Sequence, residues 1–230
     1  MRSRQAGFTL IELMIASVLG LIMIGAIGAL YLSSKRTYSS TEAISRAQES
    51  ARFASQFASR ELRLAGYTGQ YENGLVNKTL VFPSAGAFAA GQVVSGTDNS
   101  SGSGSIKAGT DVVTFRYGGN SSANVRDCLG DTVAANSLST AVLFVSDDDE
   151  LMCSVNGGSE TELVDGIEDM QLEFGVDANG DRTADSYAVA GTGVNWQQVV
   201  SLRMRLVVSG SANMTDRQVS TVVALRNQLP

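Results

Sequence analysis

Apolar and polar residues are distributed unevenly along this 230-residue chain, and the longest apolar stretch lies near its N-terminus. Residues 13–32 form a run of 20 positions without a charge, rich in Leu, Ile, Met, Ala and Gly. As an α-helix, this run is long enough to cross a hydrocarbon core of ~30 Å. No small-residue cleavage site and no Pro or Gly break follows it. We therefore expect the segment to be retained as an anchor rather than removed as a secretory signal.

The next stretch, residues 35–65, is polar but keeps the periodicity of a helix. Its apolar residues recur at steps of three and four, which places them on one face. They are Ile44, Ala47, Ala51, Ala54, Ala58, Leu62 and Ala65. Because Gly66 offers a C-cap and no proline precedes residue 83, one helix is predicted from about residue 8 to residue 65. We expect its second half to pack on a sheet through the alanine-rich face; a membrane-proximal coiled coil is the alternative.

Beyond the helix, β-branched and aromatic runs between turn residues predict strands. These runs are 75–82, 111–117, 141–146, 151–155, 170–176, 199–209 and 217–225. The run 199–209 alternates, with Leu202 and Met204 on one face and Arg203 and Arg205 on the other, as a half-buried antiparallel strand does. One short helical turn is expected near residues 132–141. The prediction is an α+β fold, a long N-terminal helix packed on an antiparallel β-sheet domain.

Two polar segments are predicted to be loops. Residues 95–109 (SGTDNSSGSGSIKAG) have low complexity and are expected to be mobile, with glycosylation or ligand contact as the alternative. In residues 177–185, side-chain oxygens occupy alternate positions: Asp177, Asn179, Asp181, Thr183 and Asp185. Such oxygens suit Ca²⁺, and the segment is similar to the first nine positions of an EF-hand-type loop, although Arg182 stands where the glycine belongs. An ordinary Asp/Asn/Gly turn explains the same residues, so both interpretations stay open.

The composition narrows the range of functions. The formal net charge is −6, so the chain lacks the basic footprint of a dedicated nucleic-acid binder. It has no histidine, which excludes Ser-His-Asp and Cys-His catalysis and His-ligated zinc. No other convergent catalytic set emerges. We expect a protein that is not an enzyme and requires no cofactor, with Ca²⁺ as the one candidate ligand.

The chain has two cysteines, Cys128 and Cys153. Two is the minimum for one disulfide, and an exported protein would enter an oxidising compartment. In the chain-entropy model, closing a loop of this size stabilises a fold by about 3 kcal/mol. We therefore predict a disulfide on export; two buried free thiols are the alternative.

A single charge, Glu12, interrupts the start of the apolar segment. An ionisable group at the edge of a spanning helix is costly and by default functional, although it can also simply reach the headgroups. It belongs to the string GFTLIE, residues 7–12, which follows a short basic segment. This string resembles the prepilin-peptidase site of type IV pilins and type II secretion pseudopilins. The resemblance implies cleavage after Gly7, N-methylation of Phe8 and a role for Glu12 in assembly.

Electrostatics agrees with that resemblance. Cleavage would leave a cationic amine on Phe8 inside an apolar filament core, where Glu12 of one subunit can neutralise the amine of the next. Arg2 and Arg4 orient the N-terminus towards the cytoplasm. The expected organisation is a leader at 1–7, a transmembrane and assembly helix at 8–34, an amphipathic periplasmic half-helix at 35–66 and a globular β-rich domain at 67–230.

Three later segments narrow the resemblance. They are RELRLAGY at residues 60–67, LVDGIEDMQLEF at 163–174, and Trp196 followed by VVSLRMRL at 199–206. Together they resemble the PilW family of type IV pilus minor pilins. The strand at 163–174 and the later tryptophan are also similar to the J-type minor pseudopilin of type II secretion. The apolar segment lacks the central proline that major pilins often carry, which favours a minor pilin.

Resemblance to PilW implies a non-enzymatic subunit of a priming complex at the pilus tip. Its implied partners are other minor pilins, the major pilin, the prepilin peptidase, the assembly platform and a tip adhesin. Its implied location is the inner membrane, crossed once, with the C-terminal domain in the periplasm before entry into the pilus. The alternatives are a J-type pseudopilin, a ligand-binding tip subunit and a membrane-anchored periplasmic enzyme. DNA as a tip ligand would require Arg203, Arg205 and Arg217 to cluster.

Overall fold

The long helix forms as predicted, but it ends at Leu62, four residues before the predicted C-cap Gly66. In the computed structural model, residues 7–69, 81–120, 124–191, 193–209 and 217–228 are described, and helix α1 spans Leu10–Leu62. After its last turn, Gly66 has a φ of 77°, and its N–H donates to the Arg116 carbonyl at 2.9 Å. A Cβ at Gly66 would lie 3.3 Å from Val93 Cγ2. Conformation and space therefore both favour glycine at this position, where the chain leaves the helix and contacts β2.

The strands form two antiparallel sheets. The first contains β1 (Val94–Thr97), β2 (Val112–Gly118), β3 (Leu138–Val145), β4 (Glu150–Val155) and β5 (Thr161–Asp165), in the spatial order β1-β2-β3-β4-β5. The second contains β6 (Ile167–Val176), β7 (Ser186–Ala188), β8 (Val199–Val208) and β9 (Arg217–Ala224), in the order β7-β6-β8-β9. The α+β class is confirmed, but the strands are divided between two sheets rather than one.

Most predicted strands are confirmed, and two other predictions are wrong. The six predicted runs from 111–117 onward correspond to β2, β3, β4, β6, β8 and β9. Of the predicted strand at 75–82, residues 75–80 lie outside the described residues, and Phe82 lies in no strand. The helical turn expected near residues 132–141 is wrong, because the chain there enters β3 at Leu138. The prediction that residues 95–109 are all loop is also wrong, since β1 includes residues 95–97.

Strand β1 forms at this glycine-containing segment because it packs closely on the second sheet. A Cβ at Gly96 would lie 2.5 Å from Cζ of Phe174, so only glycine leaves room for that ring. The small residues that make the sequence read as a loop are therefore what allow the two sheets to approach here.

Asp111 joins the two sheets directly. Its buried carboxylate accepts hydrogen bonds from the N–H of Asn99 at 2.8 Å and of Leu172, in β6, at 2.6 Å. Its own N–H donates to the Met170 carbonyl at 2.8 Å. Burial raises the pKa of this carboxyl, and the two backbone donors partly offset that rise.

Two compact units make up the chain, Met1–Ser45 and Arg46–Pro230. The last turns of α1 belong with the strands in the second unit. There the predicted alanine stripe is buried: Ala51, Ala54, Ala58 and Leu62 join the core cluster with side chains of both sheets. This confirms that the helix packs through its alanine-rich face.

A buried arginine organises the segment before β1. Arg116 in β2 donates from Nη1 to the Pro83 carbonyl at 2.7 Å and from Nε to the Gln92 carbonyl at 3.1 Å. Its Nη2 lies 3.3 Å from the Ala89 carbonyl, and its guanidinium carbon lies 4.3 Å from the centre of the Phe88 ring. Several carbonyls and an aromatic face thus compensate one buried cation.

We expect Arg116→Met to lower the free energy of unfolding by about 2–4 kcal/mol, because it leaves buried carbonyls without a donor. Arg205→Met, in the exposed middle of β8, is the matched control and should cost less than about 0.5 kcal/mol. Urea unfolding of the detergent-solubilised chain, followed by tryptophan fluorescence, measures both. Equal losses would contradict the role given to Arg116.

Candidate functional site

The N-terminal end of α1 carries the residues that the sequence singles out. Gly7 and Phe8 precede the helix in non-helical conformation, and the Phe8 side chain is 89% exposed. Residues 1–6 of the predicted leader lie outside the described residues. Cleavage after Gly7 and methylation of Phe8 stay predictions.

Glu12 is bound within its own chain by Thr9. Its Oε2 accepts from the Thr9 backbone N–H and from Thr9 Oγ1, both at 2.9 Å. The Glu12 N–H in turn points to Thr9 Oγ1 at 3.3 Å. This reciprocal pattern is a capping box, which satisfies N–H groups that the first helical turn leaves without partners. The Thr-x-x-Glu spacing of Thr9 and Glu12 is the local sequence signal for this role of Thr9.

The apolar part of α1 offers its side chains to the surroundings. Its most apolar 18 residues have a mean hydropathy of 2.5, and none of them is buried. Large side chains such as Ile15, Leu21 and Leu30 are more than half exposed. By length and composition this helix can cross a membrane. A surface of this kind needs lipid or other apolar helices around it.

The two cysteines are joined. Cys128 and Cys153 form a disulfide with Cα atoms 6.5 Å apart, which confirms the predicted pair. Cys153 lies in β4 and Cys128 in the segment between β2 and β3. Both cysteines are buried. The bond therefore links the long β2–β3 connection to β4, an interior strand of the first sheet.

The acidic loop at 177–185 satisfies its own oxygens. Asp177 accepts from the N–H groups of Gly180 at 2.6 Å and Arg182 at 2.8 Å. Asp185 Oδ2 accepts from the Ala178 N–H at 2.8 Å. Burial of Asp177 raises the pKa of its carboxyl, but the backbone donors outweigh that effect and hold the pKa below its usual value.

The centre of this loop is held by an amide. Asn179 Nδ2 donates to Asp181 Oδ2 at 3.2 Å and to Asp185 Oδ1 at 3.0 Å. Thr183 contributes its backbone N–H, which donates to Asp181 Oδ1 at 2.8 Å. Within the described residues no three acidic, cysteine or histidine side chains converge as metal ligands. A calcium ion would therefore have to displace the Asn179 amide, and calcium binding stays a prediction.

The arginines required for a DNA-binding surface are divided between two faces. In β8, Arg203 donates to Glu173 Oε2 at 2.8 Å and lies 4.0 Å from the centre of the Tyr187 ring. Arg205 points to the same outer face as Arg203. Arg217 pairs with the buried Val208 and so belongs to the opposite face. The sheet therefore does not bring the three together on one face.

Two family models match parts of the chain. The Prokaryotic N-terminal methylation motif matches residues 2–28, which include the Gly7–Glu12 segment, and the model described as Type IV Pilus-assembly protein W matches residues 132–228, which include β3 to β9. No curated protein and no solved structure matches the chain. The first match gives the N-terminal segment the methylation motif of prepilin-like proteins, and the long apolar helix followed by antiparallel sheets is consistent with a pilin-like fold. The second match makes residues 132–228 similar to the PilW family of type IV pilus-assembly proteins.

Removing the disulfide should lower stability without changing the fold. We expect the double variant Cys128→Ala/Cys153→Ala to lose about 3 kcal/mol of unfolding free energy, by the loop-closure term for this separation. Urea unfolding of wild type with and without dithiothreitol gives the same comparison without substitution. Unchanged stability on both tests would contradict a stabilising role for the bond.

Calcium binding by the loop at 177–185 can be tested by thermal unfolding. If the five oxygen-bearing residues bind Ca²⁺, millimolar calcium should raise the melting temperature, and Asp181→Asn should remove that rise. Glu168→Gln, outside the loop, is the matched control and should keep it. No change in melting on addition of calcium or of a chelator would contradict calcium binding.

Proposed function

We propose that this protein is a non-enzymatic minor pilin that helps to start type IV pilus assembly at the filament tip and supports a tip adhesin. The observation that carries the proposal is the combination of two features in one chain. Glu12 sits in the first turn of an exposed apolar helix, next to the Gly7–Phe8 junction. The C-terminal half matches a pilus-assembly family.

The chemistry of assembly follows from the surroundings of Glu12. In the single chain its carboxylate is held by two neutral donors of Thr9. After cleavage, the Phe8 ammonium of a neighbouring subunit would be a stronger donor, because charge-assisted hydrogen bonds are roughly twice as strong as neutral ones. In an apolar filament core neither charge has water, so each stabilises the other only when the subunits are in register. Glu12 would thereby set the axial position of the subunit.

Before assembly, the protein would be anchored in the inner membrane by α1. Prepilin peptidase would cut after Gly7 while α1 crosses the inner membrane with the globular domain in the periplasm. The exposed apolar surface of α1 would then exchange lipid for the helices of major and minor pilins, so that little apolar surface meets water. The assembly platform and the adhesin would be further partners.

A complementation experiment tests the proposal in a strain from which the gene has been deleted. Glu12→Gln keeps the shape of the side chain but loses its charge, so we expect surface pili to fall about tenfold or more relative to wild type. Glu49→Gln, the same change at an exposed site on the same helix, is the matched control and should complement fully. Immunoblots must show equal amounts of each protein in the membrane.

The same strains are scored for type II secretion. Loss of pili with normal secretion of folded enzymes supports the pilus role. Normal pili with lost secretion would assign the protein to the secretion machine as a J-type pseudopilin. Full complementation by Glu12→Gln would contradict the proposed ion pair.

A further inference from the structure

The second compact unit contains a cleft that the proposed assembly role does not use. It has a volume of about 490 Å³ and lies between the last turns of α1 and residues 124–130. None of the residues that line it falls within the parts matched by the two family models. The two family matches therefore say nothing about the chemistry of this cleft, which only the structure describes.

Glu61 lines this cleft and is only half satisfied. Its Oε1 accepts from Arg60 Nε at 2.9 Å and Nη2 at 2.6 Å. Its Oε2 is buried and accepts no hydrogen bond from the described part of the chain. The Glu61 side chain is 1% exposed, whereas that of Arg60 is 65% exposed. The compensating cation thus stands at the surface, and one oxygen of a buried carboxylate keeps an unmet demand for a donor.

The surroundings of Glu61 add negative charge. Asp127 also lines the cleft and is buried, with Oδ1 accepting the N–H groups of Leu129 at 3.0 Å and Asp131 at 2.9 Å. Burial raises the pKa of the Glu61 carboxyl, against the lowering effect of the Arg60 guanidinium, and Asp127 raises it further. Burial likewise raises the pKa of the nearby Tyr117 hydroxyl to about 12, with Asp127 and Glu61 adding to the rise.

The other arginine of the cleft, Arg126, donates to a backbone carbonyl of the same cleft. Arg126 is exposed, and its Nη1 donates to the Gly130 carbonyl at 2.6 Å. The remaining walls include the apolar side chains of Leu64 and Val125 and the ring of Tyr67. The cleft therefore combines an unpartnered carboxylate oxygen with apolar walls that can contact an aliphatic stem.

We propose that this cleft binds an organic cation, an ammonium or guanidinium group on an aliphatic stem, which donates a hydrogen bond to Glu61 Oε2. Arg60 and Arg126 already balance the formal charge of the two carboxylates that line the cleft, so the argument for a charged donor is the demand of the buried oxygen itself. A divalent metal ion fits less well, because Ca²⁺ takes six to eight oxygen ligands and the cleft supplies two carboxylates. The inference is independent of the pilus role.

The test uses the full chain in detergent micelles, with n-butylammonium and n-butylguanidinium as probes. Glutamate side chains carry a ¹³C-carboxyl label, and the Glu61 resonance is identified by its absence from Glu61→Gln. We expect a saturable shift of this resonance in wild type and affinity weakened about tenfold or more in Glu61→Gln, measured by calorimetry. Glu49→Gln, the matched control on the same helix, should bind like wild type. If Glu61→Gln does not fold, Glu61→Asp keeps the charge but withdraws it by one methylene and should also bind more weakly.

Two comparisons complete the test. n-Butanol, a neutral probe of similar length, should bind about tenfold more weakly than n-butylammonium, because its donor carries no charge. A blocked Gly-Lys-Gly peptide presents the same ammonium group on a polypeptide. If the peptide binds, the natural ligand is a side chain of a protein; if only the small probes bind, the natural ligand is a free amine. The proposal is overturned if the Glu61 resonance shows a neutral carboxylic acid that does not respond to either cation, or if n-butanol binds equally well.

Discussion

The packing of the second unit depends on alanine at the positions where α1 enters its core. Ala54 and Ala58 are fully buried, and the core that they enter contains side chains from both sheets. Because alanine has no side chain beyond Cβ, these positions leave room in the core for larger residues such as Phe115 and Leu202. A larger residue at Ala54 or Ala58 would have to push the helix away or distort that packing. One helix stripe therefore sets the geometry of the second unit.

The earlier part of the same helix obeys a different requirement. Its Leu and Ile side chains are exposed, and no part of the described chain shields them from water. Such a surface is stable only in lipid or among similar helices. The Thr9–Glu12 capping box adds a polar group at the end of this surface that is satisfied in the single chain. The segment thus accommodates an ionisable residue at low cost before any partner arrives.

Periodicity made most of this fold predictable. The spacing of the alanines indicated the buried helix face, and alternation from Leu202 to Arg205 indicated a half-buried strand; both are local patterns. The errors have non-local causes. Strand β1 forms because Phe174, distant in sequence, occupies the space at Gly96, and no local pattern contains that contact. The expected helical turn near 132–141 gave way to β3, whose pairing with β2 and β4 outweighs local propensity.

The two candidate sites, around Glu12 and around Glu61, also differ in whether a local sequence pattern reveals them. Glu12 was recognisable because it interrupts an apolar run, whereas Glu61 looks in the sequence like one of several charges on the polar face of a helix. Only tertiary structure shows that residues near 127 close over it and leave one oxygen without a donor. The two glutamates differ in one physical respect. Thr9 supplies donors to Glu12 in the single chain, so an incoming cation there must exchange one partner for a stronger one. Glu61 Oε2 has no described partner to exchange, but it is buried, so a cation must be desolvated and the cleft wall must shift for the two to meet.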